Sequence, residues 1–278
     1  MALAPDAAGH PRSVVIQLIP PPFSQGWVGN IRTLAAAHWW DHTSVYRVVD
    51  NWVTQWGDGE DDPAKAKPLP PGLKAVPESE YTAPLPSATL SRWRASVLAN
   101  LNQAIDNERA SRSTEAALVR DPYAAWTAHL GGWPVASDLR TGMWPLHCYG
   151  YVGVARDLES TGNGAELYAV IGQAPRQLDR NIAVVGRVIE GIENLSALPR
   201  GKGDAGVYDD PKLRVPIVAV RLGTDLSAPP RFEYLDTASP SFASYLQVSA
   251  NRHDPFYKVA AGGIDICNAK VPIRRVKP

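Results

Sequence analysis

The chain has 278 residues, and its 28 Lys and Arg are balanced by 28 Asp and Glu, so its formal charge is zero. This balance excludes the strongly basic surface of many nucleic-acid-binding proteins and an acidic tail. No stretch approaches the roughly 18 apolar residues of a membrane-spanning helix. Because 25 Pro and 22 Gly predict many turns, we expect a mainly β protein rather than a helical bundle.

The first 60 residues have the pattern of a strand, a helix and two further strands. β-Branched residues at 13–19 predict a strand that ends at the three prolines 20–22, which lack the backbone donor. Apolar spacing predicts a short helix at 30–40. Alternation then predicts strands at 43–50 and 52–55.

Residues 60–143 are interpreted as an insertion with a helical part at roughly 87–130. The Pro-rich and charged segment from 60 to 86 has no periodicity and is expected to be a loop. Apolar residues at helical spacing predict helices further on. These helices are predicted at 89–109, 114–120 and 123–130, the last closed by Gly131 and Gly132.

The second half of the chain returns to short strands. They are predicted at 149–156, 165–171, 183–189 and 215–222, with a short helix at 191–198. Many short strands with few helices indicate a closed antiparallel barrel, since closure removes edge strands. Residues 223–278 form an extension that is too aromatic to be disordered, and we expect it to pack on the barrel within a single domain, 1–278.

Two cysteines, Cys148 and Cys267, are too few for a disulfide scaffold and have no cysteine at metal-ligand spacing. They either form one long-range bridge or remain free thiols. A bridge favours an oxidising compartment. We therefore expect a periplasmic or secreted protein if an export signal has been removed, and a cytoplasmic one otherwise.

Two sequence patterns suggest ligand sites without the context that such sites need. Residues 201–206 match the dinucleotide pattern GxGxxG, but a predicted helix precedes them and a strand follows, which favours a surface loop. His38 and His42 are four residues apart, as zinc ligands on a helix are, but no third ligand is nearby. We expect structural histidines and no metal.

Two further groups have the residue types of catalytic sites. His147 and Cys148 are neighbours in an extended segment and therefore point to opposite faces, so a nucleophile and base pair is not favoured. Asp157, Glu159 and Glu166 form a local group of acids that can serve a glycosidase. Acids beside a Gly-rich turn are more often solvated.

Four blocks of sequence taken together resemble the cyclophilin-type peptidyl-prolyl cis-trans isomerases in order and spacing. They are VYRVVDNWVTQWGD at 45–58, GYVGVAR at 150–156, TGNGAELY at 161–168, and LD at 178–179 followed by VVGRVIEG at 184–191. The resemblance covers about 13–60 and 144–222. It implies an eight-stranded barrel with two capping helices and a proline-binding groove on its outer wall. It also implies proline-containing polypeptide substrates and no cofactor.

The resemblance assigns roles to individual residues. Arg47 corresponds to the cation that donates a hydrogen bond to the prolyl nitrogen, and Gln55 to the side chain that orients this cation and grips the substrate backbone. A guanidinium suits the first role because it is always charged and rigid. The remaining substrate-binding positions are Trp52, Val53, Tyr168 and Leu178 in the pocket, Ala155 and Arg156 on the backbone-binding strand, and Glu166.

The sequence departs from the family at several of these positions. Trp52, Val53, Arg156, Glu166 and Tyr168 stand where most members have Phe, Met, Asn, Gln and Phe, and Gln177 and Ile182 stand where members have Trp and His. Isomerase activity is the favoured function. The alternatives are a protein-binding module that uses the same groove with little or no turnover, and a hydrolase that uses Glu166 and Asp157.

Overall fold

The computed structural model describes residues 1–60, 62–85 and 121–276. In these ranges it has fourteen strands: β1 Ala2–Leu3, β2 Arg12–Ser13, β3 Val15–Leu18, β4 Ser44–Val48, β5 Val53–Gly57, β6 Trp126–Leu130, β7 Trp133–Ser137, β8 Met143–Pro145, β9 Tyr151–Val154, β10 Leu167–Val170, β11 Val184–Glu190, β12 Val215–Ala219, β13 Phe232–Tyr234 and β14 Ile273–Arg275. Its α-helices are α1 Gln25–Ala36, α2 Glu193–Ser196 and α3 Pro240–Ala250. Short 3-10 helices cover Glu78–Tyr81, Ala174–Leu178, Asp204–Gly206, Pro211–Leu213 and Gly223–Asp225.

Contacts within the chain define two compact units. The first contains residues 1–82, 145–233 and the end of the chain from 273. The second contains 83–144 and 234–272. Each unit is described by itself below.

The first unit is a nearly closed antiparallel barrel. Its nine strands follow the order β2, β1, β12, β4, β5, β10, β9, β11, β3. The two end strands, β2 and β3, are consecutive in the chain and are separated only by Val14, whose amide and carbonyl both bond to Met1. Counted as one interrupted strand, they close a ring of eight. The predicted mainly β fold and eight-stranded barrel are therefore confirmed.

The barrel strands bury one row of apolar side chains completely. Val45 lies opposite Trp56, Trp56 lies opposite Leu167, and Leu167 lies opposite Val154. Opposed residues of antiparallel strands project to the same face, and all four side chains are buried. This row fixes the register, because a slip of one residue would expose it.

Helix α1 begins and ends earlier than the predicted helix at 30–40. Trp27, Ile31, Leu34 and Ala35 follow helical spacing and are buried, which gives the helix its inward face. At the N-terminus the amide of Gly26 donates to the Glu80 carboxylate at 2.7 Å. The chain leaves the helix after Ala36, so the predicted helix is too long at its end.

The second unit contains a sheet of β6, β7 and β8, in which β6 and β7 are antiparallel. The predicted helix at 123–130 is wrong, since Trp126 pairs with Ser137 and Leu130 pairs with Trp133. Gly131 and Gly132 have φ of +55° and +83°, respectively. Positive φ at both central residues makes a two-residue hairpin turn rather than a helix end. The helices predicted at 89–109 and 114–120 lie outside the described residues.

The C-terminal extension has its own ordered elements. β13 and β14 form a two-stranded sheet. Ser239 caps α3 by accepting a hydrogen bond from the Phe242 amide, and the buried Phe242 ring packs edge-on against His129 of the second unit. None of the described helices is long and apolar enough to cross a membrane. The single-domain assignment and the packing of the extension on the barrel remain predictions.

Candidate active site

The strand register places the predicted catalytic pair on one face of the barrel wall. Arg47 lies opposite Gln55, and Gln55 lies opposite Tyr168. These three residues share a face, opposite to the buried row. Val53 lies two residues from Gln55 on β5 and Val170 lies two residues from Tyr168 on β10, so both project to the same side. Sequence alternation did not establish this face because β4 has a register shift just before Arg47.

The guanidinium of Arg47 is held at two points. Its Nη1 donates to Gln55 Oε1 at 2.8 Å and its Nε donates to the carbonyl oxygen of Ala205 at 2.7 Å. No residue in the described part of the chain accepts a hydrogen bond from Nη2. Burial lowers the pKa of Arg47, but a guanidinium stays charged in proteins. The site therefore presents a fixed cation with one uncommitted nitrogen.

The loop 201–206 supports Arg47 rather than a dinucleotide. The Gly201 amide donates to the Val48 carbonyl at 2.9 Å. Gly206 has φ of +82°, and a Cβ there would come within 2.7 Å of a valine side chain. The loop is followed by a three-residue 3-10 helix, not by the longer helix that pyrophosphate binding needs. Its glycines allow the close approach that brings the Ala205 carbonyl to Arg47.

Gln55 is itself fixed from behind. Its Nε2 donates to the Tyr46 hydroxyl, which donates to Glu166 Oε2 at 2.9 Å. Glu166 Oε1 accepts from the amides of Asp58 at 2.8 Å and Gly59 at 3.4 Å. Burial raises the pKa of Glu166 and, together with the adjacent carboxylate, that of Tyr46. Glu166, predicted to bind substrate, thus supports the Arg47 and Gln55 pair through Tyr46.

An apolar cluster adjoins this pair on the same face. Val53, Tyr168 and Val170 are buried in it. The partly buried side chains that pack against them are Trp52, Ala155, Leu178 and Ile182. The structure thus brings the predicted pocket residues together. Ile182, one of the departures from the family, packs against the same cluster. Gln177, at another departure from the family, is exposed.

Behind the cluster is a buried polar chain. The Tyr168 hydroxyl lies 2.9 Å from His147 Nε2, and His147 Nδ1 lies 2.9 Å from Asp179 Oδ1. Arg176 Nε donates to Asp179 Oδ2 at 2.8 Å. Sequence reasoning gave no role to His147 in partnership with Tyr168. The available signal was Tyr168 itself, because a hydroxyl at a position where the family has Phe needs a buried partner.

The predicted backbone-binding residues follow directly after β9. The Ala155 amide donates to the Glu166 carbonyl at 2.9 Å, which continues the pairing with the β10 side of the sheet. Within the described residues, neither the amide nor the carbonyl of Arg156 has a hydrogen-bond partner. The Arg156 side chain turns back to the carbonyls of Asp157 at 2.7 Å and Asn181 at 3.2 Å. The backbone of Arg156 is therefore available for pairing.

A cavity of about 710 Å³ adjoins the segment that follows β9. The residues that line it include Gln55, Ala155, Arg156, Glu166 and the segment 69–75. Its walls include both polar and apolar groups. A groove thus extends beyond the apolar cluster.

The other candidate residues, Asp157, Glu159, His38 and His42, are exposed. Asp157 accepts hydrogen bonds from the backbone of its own exposed turn, and those from Ser160 lower its pKa. His38 and His42 lie in the turn after α1 with positive φ. No group of residues in the described ranges has the composition and geometry of a metal site.

Comparisons with known proteins agree with this geometry. The family described as "Cyclophilin type peptidyl-prolyl cis-trans isomerase/CLD" matches residues 26–222. None of the curated proteins matches the chain. The cyclophilin AquaCyp293 from Hirschia baltica is similar in structure, with a TM-score of 0.60, 18% identity, and coverage of 100% of this chain and 91% of that chain.

A cyclophilin-type peptidyl-prolyl cis-trans isomerase from Cryptosporidium parvum, solved in the presence of the dipeptide Ala-Pro, is more distant. It has 12% identity and a TM-score of 0.36, and the match covers 74% of this chain and 89% of that chain. The family match spans well over half of the sequence and includes Arg47 and the barrel strands from β4 onward. The chain belongs to the cyclophilin-type peptidyl-prolyl cis-trans isomerases, and peptidyl-prolyl isomerase is its enzyme class.

Proposed function

We propose that this chain accelerates rotation about Xaa-Pro bonds in polypeptide substrates, with Arg47 as the electrostatic catalyst. The uncatalysed rotation meets a barrier of about 18–20 kcal/mol because amide resonance must be lost. The prolyl nitrogen becomes pyramidal and gains a lone pair as the bond twists. A hydrogen bond donated to that lone pair is stronger in the twisted state than in the planar one, which is the condition for catalysis.

The bound substrate is proposed to lie across three parts of the site. Its proline ring contacts the cluster of Val53, Tyr168 and Val170, flanked by Trp52 and Leu178. The preceding residues pair with the free backbone groups of Arg156 and extend toward the 710 Å³ cavity. Apolar contact on one side and backbone pairing on the other hold the prolyl nitrogen near Arg47 while the peptide group rotates.

The observation that carries the proposal is the fixed position of the guanidinium beside an apolar cluster. Arg47 is bonded to Gln55 and Ala205, and Gln55 is bonded in turn to Tyr46. A donor that is already oriented needs no reorganisation when the transition state forms, which makes it more effective than a mobile one. A surface salt bridge, the other use of an arginine here, would require a carboxylate partner, and both described contacts are neutral oxygens.

The first test compares Arg47→Ala and Arg47→Lys with the parent in an NMR exchange assay on an Ala-Pro peptide. A charge-assisted hydrogen bond is worth about 1.5–3 kcal/mol, so Arg47→Ala should lower kcat/KM roughly 10- to 150-fold. Lysine should restore little because it lacks the planar fork. Arg200→Ala is the matched control, since Arg200 pairs with exposed Asp50 at the adjacent turn, and it should keep parental activity.

The same experiment separates catalysis from binding alone. A parent protein that binds the peptide without accelerating exchange would overturn the proposal and favour the protein-binding module. Equal activity of the parent and Arg47→Ala would remove Arg47 from the mechanism. Hydrolysis of a glycoside that is lost in Glu166→Gln would instead favour a hydrolase.

We further propose an oxidising location, periplasmic or secreted. Cys148 and Cys267 are both disulfide-bonded, and disulfides persist mainly in oxidising compartments. Fractionation of cells that express the natural gene tests this proposal, and recovery of the protein with reduced thiols in the cytoplasm would contradict it.

A further inference from the structure

We infer that Tyr168, His147, Asp179 and Arg176 act as a single positioning device that fixes the floor of the proline pocket. The inference rests on the proposed function for the meaning of the pocket. All four residues are at most 7% exposed. Each is linked to the next by a contact of 2.8–2.9 Å. Only the Tyr168 end of the chain belongs to the apolar cluster.

The carboxylate of Asp179 holds His147 at two points. Asp179 Oδ1 accepts from the His147 backbone amide at 3.0 Å and lies 2.9 Å from His147 Nδ1. An ionised carboxylate only accepts, so Nδ1 carries a proton. The other ring nitrogen, Nε2, pairs with the Tyr168 hydroxyl, which can both donate and accept. Arg176 balances the charge of Asp179.

The space around the Tyr168 ring favours one orientation. The hydroxyl end of the ring lies over Gly153 of the neighbouring strand, where an added Cβ would lie 2.3 Å from the hydroxyl oxygen. The Tyr168 and His147 rings are stacked, with centroids 6.2 Å apart and planes 15° apart. Gly153 provides room for the ring, and His147 provides the one described hydrogen-bond partner of its hydroxyl. The ring is therefore fixed by packing along its length and by a bond at its tip.

This arrangement leads to a specific kinetic expectation. If the chain is broken, Tyr168 occupies its pocket-forming orientation for only part of the time. The apparent affinity for a substrate then falls by the fraction of molecules that retain the competent pocket. Once bound, the substrate still meets the Arg47 and Gln55 pair, whose side chains share no described hydrogen bond with this chain although Gln55 and Tyr168 lie on paired strands. The effect should appear in substrate affinity rather than in kcat.

The experiment uses the full chain with Tyr168→Phe, Asp179→Asn and the control Tyr151→Phe. Phenylalanine keeps the ring and removes its hydroxyl bond. Asparagine has a single acceptor oxygen, so it cannot accept from both His147 and Arg176, and it breaks the chain without touching the pocket. Tyr151 lies on β9 and is also buried, and burial raises its pKa to about 12. The readouts are the Kd of an Ala-Pro peptide from an NMR titration, and kcat from exchange, at a temperature where all variants are folded.

We expect both Tyr168→Phe and Asp179→Asn to raise Kd at least threefold and leave kcat within twofold, while Tyr151→Phe changes neither. Unchanged Kd in Tyr168→Phe, or an equal rise in Tyr151→Phe, would overturn the inference. If Asp179→Asn does not fold, the comparison of Tyr168→Phe with Tyr151→Phe decides it. A parent that binds peptide but does not turn over would refute the proposed function alone, because the Kd comparison still applies.

Discussion

The hydroxyl of Tyr46 connects Gln55, the partner of Arg47, to a buried carboxylate, so Tyr46→Phe is expected to affect stability and activity together. The hydroxyl accepts from Gln55 Nε2 and donates to Glu166 Oε2. Phenylalanine leaves a buried amide donor and a carboxylate oxygen without these partners. Gln55 can then rotate away from Arg47, and we expect kcat/KM to fall about three- to tenfold, since a net hydrogen bond is worth roughly 0.5–1.5 kcal/mol.

The loss of stability should depend on pH. The lost hydrogen bond to ionised Glu166 is worth about 1.5–3 kcal/mol, and the neutral one from Gln55 about 0.5–1.5 kcal/mol. Burial raises the folded-state pKa of Glu166 above 4.5, and the Tyr46 bond opposes this rise. In Tyr46→Phe the folded-state pKa of Glu166 rises further. The variant therefore loses most unfolding free energy at a pH where Glu166 is ionised in both the folded and the unfolded state. The deficit is the unfolding free energy of the parent minus that of Tyr46→Phe. The part of it that comes from ionised Glu166 is lost as the pH falls through the folded-state pKa of Glu166 to 4.5 and below.

Urea denaturation of the parent and Tyr46→Phe at pH 8 and pH 4 measures this dependence. The expected deficit is about 2–4.5 kcal/mol at pH 8 and about 0.5–1.5 kcal/mol at pH 4. Tyr208→Phe is the matched control, because the buried Tyr208 hydroxyl donates to the neutral carbonyl of Pro199 at 2.6 Å. Its deficit should be similar at both pH values. Equal deficits of Tyr46→Phe at pH 4 and pH 8 would refute the role of Glu166.

Two further predictions concern a glycine and the cysteines. Gly59 has φ of +63°, and a Cβ there would lie 2.5 Å from the Tyr46 ring, so Gly59→Ala should destabilise the protein by more than the roughly 1–2 kcal/mol cost of a left-handed backbone. Gly9→Ala, with φ of +84° and open space around it, should show that cost alone, and equal urea midpoints would contradict the contact. Thiol titration of the denatured, unreduced protein should find no free cysteine at Cys148 or Cys267, and two free thiols would contradict the bridge.

The barrel could be predicted from the sequence because each of its strands is indicated by a pattern of neighbouring residues. Each strand has its own β-branched or alternating pattern, and the order of the strands limits the closed arrangements. The error at 123–130 has an equally local cause. Gly131 and Gly132 are typical of a helix end, but a Gly-Gly pair between apolar segments also predicts a two-residue hairpin. Eight residues are too few for hydrophobic periodicity to distinguish these two structures.

The site was predictable where a residue acts through its own chemistry, and less so where it acts through a neighbour. Arg47 and Gln55 are eight residues apart in one hairpin, and their pairing follows from the strand register. Glu166 was assigned to substrate binding because its position matches one that binds substrate in the family. The structure places its carboxylate against Tyr46, whose sequence separation from it is 120 residues. No local pattern reports a contact of this kind.

The buried chain behind the pocket illustrates the general limit and a way around it. A hydroxyl placed in an apolar site costs about 1–3 kcal/mol unless it is hydrogen-bonded. A sequence that has Tyr168 at a Phe position therefore predicts a partner for its hydroxyl, although it does not say which one. The partner, His147, needs a proton acceptor on its other nitrogen to keep one tautomer, and Asp179 supplies it. A single polar departure in an apolar pocket thus implies a connected series of buried polar residues, which is why Tyr168→Phe and Asp179→Asn are expected to have the same effect on substrate affinity.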